Sequence, residues 1–389
     1  MKLLPLADLK DALAPGQPLP WGVRDQRGNL LLGQGHVVGS EAMLQALLDR
    51  GVFVDAQEAA ALAPVSTAAP AAAPATAITG TPFERWDRLC ENLAAVLSSP
   101  REQHFLRRVR EAALHVQALS EINADLLLFL ILRQDHGQFQ HYGTMHALHV
   151  ACVCSLMARR LGWDEGDRQR AIGAALTMNL SIIELQGRLA AQGTPLTRRQ
   201  REQIADHPAQ ASMMLRAAGL DDEPWLTAVE DHHERSGGGG YPTGRAEPGT
   251  LSQLLRLSDQ FTAKHSARAT RPPLPAQLAA QQLFIENPGD PLAAMLIKEF
   301  GIYPPGCLVR LVSGELGIVV RRGVSANTPI VATLTDARGR AVATPAQRDT
   351  ARPAHAIVGS VPEPAQRLRI AAQALYPEAL ALEEDAAAT

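Results

Sequence analysis

Aromatic side chains are scarce in this chain, at 4% of 389 residues, so aliphatic side chains, chiefly Leu and Ala, must fill most of any core. Cysteine is scarcer still. Cys90, Cys152, Cys154 and Cys307 form no Cys-x-x-Cys pair and no regular framework, which excludes a zinc knuckle or a disulfide scaffold and fits a reducing cytoplasm. No apolar run approaches the ~18 residues of a membrane-spanning helix. The longest, Leu126 to Leu132, is far too short, and residues 1–10 lack an apolar stretch after a basic start, so neither a transmembrane segment nor a secretion signal is expected. Charge of one sign is missing too. With 37 basic against 40 acidic residues the net charge is −3, so no global field recruits a nucleic acid polymer or an anionic membrane, and any anion must be bound locally.

What is present is an ordinary globular balance of 46% hydrophobic and 20% charged residues, on a chain long enough for two or three domains. Residues 1–57 read as a small α+β module. Short apolar runs at Trp21 to Val23 and Asn29 to Leu32 flank the turn signal Asp25-Gln26-Arg27-Gly28, and Ser40 can cap an amphipathic run from Ala42 to Leu48 ahead of Val52-Phe53-Val54. Residues 58–82, nearly all Ala, Pro and Thr, read as a linker, because such a composition offers nothing to pack. Residues 83–305 carry helical periodicity, with Leu89, Leu93, Val96 and Leu97 on one stripe and Val150, Val153, Leu156, Met157 and Leu161 on another. Residues 306–375 switch to a hairpin signature, Leu308 to Val312, Ser313-Gly314, then Leu316 to Val320. The acidic, Ala-rich end, residues 376–389, is expected to fray. The predicted architecture is therefore mainly α, a helical bundle between a small N-terminal α+β module and a short C-terminal β-hairpin segment. Arg159-Arg160 and Arg198-Arg199 are predicted to be solvated helix faces, and Met213-Met214 ordinary core packing.

Most of the twelve histidines lie between His104 and His265, where a bundle could gather them. His232-His233-Glu234 follows a helical run and precedes Gly237 to Gly240, then Tyr241-Pro242. Glycines here would let backbone approach a ligand at positive φ. Two adjacent histidines could equally cap a helix C-terminus and interact with its dipole. The full string His-His-Glu-Arg-Ser-Gly-Gly-Gly-Gly-Tyr-Pro is far more specific, and it resembles the GYP half of HD-GYP cyclic di-GMP phosphodiesterases, with Gly237 where the family has an acid or Asn. The resemblance runs from about residue 83 to 320. It places His146, in Met-His-Ala-Leu-His-Val, at the first metal histidine, leaving His149 without a counterpart. It places His207, in Asp-His-Pro, at the next ligand and Asp259, in Ser-Asp-Gln-Phe, at the last carboxylate. Arg268-Ala-Thr-Arg271 stands where the family has Arg-Pro-Tyr-Arg. The resemblance thus implies metal ligands His146, His207, His232, His233 and Asp259, and a ligand-binding set of Gly240, Tyr241, Pro242, Arg268 and Arg271. The arginines read either as phosphate forks or as a solvated loop.

One departure decides the expected activity. Where the family has Ala-Ala-Leu-Leu-His-Asp-Ile-Gly-Lys, this chain has Ala174-Ala175-Leu176-Thr177-Met178-Asn179-Leu180-Ser181-Ile182. The resemblance implies that the missing Asp would bridge two metal ions. Asn179 offers one neutral carbonyl and Met178 a soft thioether poorly matched to iron or manganese. His146 and Asp259 are too few ligands for a firm site, whereas His207, His232 and His233 could hold one Fe, Mn or Zn ion, or the whole group could be a metal-free hydrogen-bonded cluster. The expected function is a degenerate HD-GYP protein that senses cyclic di-GMP or docks a protein partner with little or no hydrolysis, the alternative being a residually active metal-dependent phosphodiesterase.

Overall fold

The computed structural model describes residues 80–133, 139–361 and 372–377 continuously, and parts of 3–55. The chain divides into two units, residues 1–77 and 78–389.

In the first unit, β1 (Leu3–Pro5), β2 (Val23–Arg24), β3 (Leu30–Leu32) and β4 (Phe53–Asp55) form an antiparallel sheet in the order β1-β4-β2-β3. The expected hairpin is β2–β3. Its turn closes because the Asp25 carboxylate accepts from the Asn29 backbone N–H at 2.9 Å and Gly28 adopts a φ of 84°. Leu6, Val23, Val38, Val52 and Val54 make its small core. The helix expected at Ala42–Leu48 and nearly all of the expected linker lie outside the described residues.

The second unit is mainly α, as expected. Its helices are α1 (Pro82–Leu97), α2 (Phe105–Ile122), α3 (Ala124–Leu132), α4 (Tyr142–Arg160), α5 (Glu165–Thr177), α6 (Ile183–Ala191), α7 (Arg198–Ala217), α8 (Glu223–Asp231), α9 (Thr250–His265), α10 (Ala276–Glu286) and α11 (Pro291–Phe300). Helix α1 starts on a capping box in which Thr81 and Glu84 satisfy each other's backbone N–H, so the helical unit begins two residues inside the expected linker. Helix α4 is the central element, buried on almost every side from Gly143 to Ala158, which is why its sequence is apolar around the whole barrel of the helix. It packs against α5 and α9, while α7 packs against α8. Gly143 permits the close approach of α4 to α6, since a Cβ there would lie 2.3 Å from the Ile183 carbonyl oxygen. Among the described residues no single helix is long and apolar enough to cross a membrane, and Leu126, Leu127 and Leu128 of the longest apolar run are core residues.

The C-terminal segment holds more strand than the single hairpin expected. It is a five-stranded antiparallel sheet, β5 (Leu308–Leu311), β6 (Leu316–Arg321), β7 (Ile330–Thr333), β8 (Gln347–Asp349) and β9 (Ile357–Ser360), in the order β8-β7-β6-β5-β9. Strands β7 to β9 are three or four residues long and β8 is polar, too short for an alternating pattern to register. Phe83 and Phe129 pack with Leu308, Ile318 and Val320 of this sheet, and Tyr376 joins them. Tyr376, the first residue of the expected frayed tail, is instead anchored: it is buried, and its hydroxyl donates to the Val320 carbonyl at 2.7 Å.

One local expectation fails. Met213 is 61% exposed, and only Met214 packs against the core. Arg159 and Arg160 are exposed, as expected, and each also bonds to the protein. Arg159 donates to the Ser120 carbonyl at 3.1 Å, and Arg160 pairs with the buried Glu299 at 2.6 Å, which also pairs with Arg322 at 2.6 Å. Arg322 pairs in turn with Asp125, so this network ties the C-terminal sheet to α3, α4 and α11. A buried carboxylate such as Glu299 needs partners of this kind, and Arg160 and Arg322 supply them.

The helices that matter for the site are locked by one indole. Trp225 on α8 donates its Nε1–H to Thr177 Oγ1 of α5 at 3.0 Å and lies against Gly173, where a Cβ would fall 2.0 Å from the ring. Gly173→Ala is expected to displace Trp225 and destabilise the protein by about 1–3 kcal/mol, the usual cost of overpacking. Chemical denaturation should read this as a lowered midpoint with unchanged slope.

Candidate metal centre

Four helices each bring one part of the site to a common point: His146 from the first turns of α4, His207 from the middle of α7, His232 and His233 from the end of α8, and Asp259 from α9. The structure gathers five sequence-predicted ligands into two groups. His207, His232 and His233 form a trio whose ligand nitrogens all lie within 4.8 Å of one another. His146 and Asp259 are bonded to each other, Nε2 to Oδ1, at 2.6 Å.

The trio is oriented by backbone, for reasons readable in the residues. Helix α7 contains Pro208, which has no N–H and so offers no hydrogen bond to the carbonyl four residues back, that of Ile204. The neighbouring His207 takes that freed carbonyl, donating Nδ1–H to Ile204 O at 2.6 Å. At the end of α8 the last-turn carbonyls likewise lack helical partners, and His232 donates Nδ1–H to Val229 O at 2.7 Å. A carbonyl only accepts, so both Nδ1 atoms carry the proton, and in the neutral rings both Nε2 atoms are bare acceptors. Yet those two Nε2 atoms lie 3.1 Å apart. Neutral imidazoles in this arrangement cannot hydrogen-bond to each other, and their lone pairs converge.

Protonation of the rings offers little relief. Burial, reinforced by His232, pushes the His207 pKa down to about 3. Burial also lowers His232, and burial with the neighbouring His232 lowers His233 well below the ordinary imidazole range. Converging neutral nitrogen lone pairs are what a divalent cation requires, and three imidazoles suit Zn, Fe or Mn with coordination positions left over. The residues present therefore fit a single ion held by His207, His232 and His233.

The second group is different. Burial alone would raise Asp259, but the hydrogen bond and charge of His146, with the nearby His233 and His232, hold its carboxyl well below the usual carboxylate range. His146 and Asp259 already satisfy each other. Met178, 0% exposed, belongs to the hydrophobic core cluster, and Asn179 is buried beside it. Ser181, two residues on, donates to the His207 carbonyl at 3.0 Å, which places this turn against α7. The Asn179 amide nitrogen is buried and has no acceptor among the described residues.

The glycine string closes the site from above. Gly237, Gly238 and Gly239 all take positive φ, and a Cβ on Gly240 would lie 2.5 Å from Glu234 Cα, so this loop can only be glycine at that point. Buried Glu234 holds the turn by accepting from the Thr243 N–H at 2.6 Å and the Gly244 N–H at 3.0 Å. The result lays the Tyr241 ring over His233, centroids 4.4 Å apart, followed by the exposed Pro242.

The two arginines have different fates. Arg271 donates to the Ala263 carbonyl at 2.6 Å and the Lys264 carbonyl at 3.3 Å, capping α9. Arg268 is exposed, its guanidinium 5.8 Å from the centroid of Tyr142. Tyr142, which sequence reading missed, stacks on His146 at 5.9 Å, so an aromatic step joins the surface arginine to the His146–Asp259 pair. Nothing in the sequence around Tyr142 marks it except its place four residues before His146, one helical turn away.

Linkage gives a pH test of the trio. An unfolded histidine takes up its proton near pH ~6.5, whereas folded His207 does so only near 3. Over that interval the unfolded chain binds more protons, so stability rises with pH, being fully present above the unfolded value and lost as pH falls. Asp259, also depressed, contributes with the same sign through the acidic part of the range. The urea midpoint of metal-free protein is therefore expected to fall steadily from pH ~7 to pH ~4, and His207→Gln should flatten the upper part of that profile.

Residues 101–287 match the HD domain family. The chain is 27% identical over 334 residues to the cyclic di-GMP phosphodiesterase PA4108 of Pseudomonas aeruginosa, an alignment that covers 79% of each chain. Among solved structures it resembles Bd1817, an HDG"Y"P protein from Bdellovibrio bacteriovorus, with a TM-score of 0.46 and 17% identity over 77% of this chain and 97% of that one. Over residues 101–287 the chain matches the HD domain, and its Gly240-Tyr241-Pro242 loop is similar to the one that marks HD-GYP proteins.

Proposed function

We propose that this protein is a degenerate HD-GYP module that holds one divalent ion on His207, His232 and His233, binds cyclic di-GMP there, and works as a nucleotide sensor or protein-interaction module with little or no hydrolysis. The observation that carries this reading is the direct bond of 2.6 Å between His146 and Asp259, beside a dyad position occupied by buried Met178 and Asn179. A thioether and a neutral amide supply no bridging carboxylate, and the two remaining candidate ligands are bonded to each other.

Such an ion, when bound, would polarise a phosphoryl oxygen and lower the pKa of a coordinated water. The chain's own residues do the rest. Tyr241, already stacked on an imidazole, offers a face for a base. The Gly237–Gly240 loop lets backbone approach the ligand. The exposed Arg268 can pair with phosphate. The buried Asn179 amide, which lacks an acceptor, is a donor that a phosphodiester oxygen could satisfy. The likeness to a cyclic di-GMP phosphodiesterase supports the choice of nucleotide. A protein partner in the same signalling pathway and a cytoplasmic setting belong to this reading.

The second reading, slow hydrolysis at a single ion, is favoured by the open trio itself. The two are separated by metal analysis, cyclic di-GMP titration and product chromatography. About one Fe, Mn or Zn ion per chain is expected, lost in His232→Ala, together with nucleotide binding and no linear product on a time scale of hours. Restoring the dyad with the double replacement M178H/N179D should raise hydrolysis at least ~100-fold, since a second ion that activates water contributes several kcal/mol. Rapid turnover by the unmodified chain would overturn the sensor reading, and two ions per chain would overturn the ligand count.

A further inference from the structure

A second cavity lies in the helical unit, and nothing in the metal centre uses it. It encloses about 320 Å³ and is walled by Phe83 and Trp86 of α1, Met145 and His149 of α4, and Leu130. Asp87, Arg133 and Gln373 are also among its lining residues. Its interior is built: Phe83, Trp86 and His149 are buried, and the Trp86 indole lies parallel to the His149 ring, 7° between planes and 6.0 Å between centroids. His149 is the histidine that the family resemblance left without a counterpart.

The chemistry of the walls narrows the occupant. An aromatic, thioether and imidazole interior takes a flat apolar face, and π-stacking of a planar ring on an indole is favourable. The polar residues are of three kinds. The Asp87 carboxylate only accepts, the Arg133 guanidinium only donates, and the Gln373 amide does both. Asp87 is exposed, and burial of part of its surface with the neighbouring Glu91 and Glu84 raises its pKa, so its carboxylate gains from a ligand N–H donor. Acceptor, donor and amide beside a stacking surface match the edge of a nucleobase, which presents N–H donors and carbonyl or ring-nitrogen acceptors side by side. The volume suits a base with its ribose and is small for a whole dinucleotide.

We propose that this cavity is a binding site for a purine nucleobase, separate from the metal centre, with Trp86 as the stacking wall and Asp87 and Gln373 as edge readers. The site shares α4 with the metal centre, because Met145 and His149 line the cavity while His146, between them in sequence, meets Asp259. The proposal does not depend on what the metal centre does.

Isothermal titration of the full-length protein with guanosine and adenosine tests it. Neither nucleoside carries phosphate, so neither can use phosphate contacts at the metal centre, and Asp87 and Gln373 lie outside that centre, so their replacement separates this cavity from any base contact at Tyr241. Heat of binding is expected with at least one of them, persisting in EDTA and weakened tenfold or more in both Asp87→Asn and Gln373→Ala. Both residues are exposed, so these replacements leave the fold intact. Preference for guanosine would assign Asp87 to the ring and exocyclic N–H donors, and preference for adenosine would assign Gln373 to the amino edge; either supports a purine site. No heat with either nucleoside at millimolar concentration, binding that survives both replacements, or binding abolished by EDTA would overturn it.

Discussion

Two imidazole nitrogens that can only accept face each other at 3.1 Å, and much of the site follows from that confrontation. Each ring is held there by its other nitrogen, through a backbone carbonyl that the helix does not use. In α7 the carbonyl is free because Pro208 lacks an N–H; in α8 it is free because the helix ends. Burial then keeps the rings neutral, so a proton cannot easily relieve the repulsion. A cation would relieve it, with His233 as the third imidazole within reach.

Different chemistry separates this trio from the His146–Asp259 pair. In the trio, lone pairs converge without a partner; in the pair, donor and acceptor have found each other at 2.6 Å. That contrast is electrostatic rather than topological, because both groups hang on the same helical frame. Trp225 holds that frame rigid by bonding α8 to Thr177, one residue before Met178. The ion-pair network of Arg160, Glu299, Arg322 and Asp125 attaches the C-terminal sheet to the same helices. Buried charges of this kind require all their partners, so the sheet and the bundle specify each other.

The helical body was legible because its apolar stripes are long: Leu89, Leu93 and Val96, or Val150, Val153 and Leu156, repeat over several turns, and all are buried. The candidate site histidines were legible through the string His232 to Pro242 and the family resemblance it carries, which also pointed to His146, His207 and Asp259. Strands β7 to β9 were not, since elements of three or four residues carry no period. Tyr142 was not, since its role rests on stacking with His146 and on an arginine more than a hundred residues away. The pairing of Arg160 with Glu299 was not legible either, since no local pattern announces that Glu299 is buried.

The sequence by itself determined the mainly helical class and the hairpins at Asp25–Gly28 and Ser313–Gly314, because each is a matter of local pattern, and it fixed that Met178 and Asn179 carry a thioether and a neutral amide where the resemblance implies a His-Asp dyad. Only the tertiary structure decided how the ligands divide. That His146 is bonded to Asp259 while His207 confronts His232, that Arg271 caps a helix while Arg268 reaches Tyr142, and that His149 lines a cavity with Trp86, all depend on distances between helices. Packing sets those distances, and packing is a property of the whole core rather than of any segment.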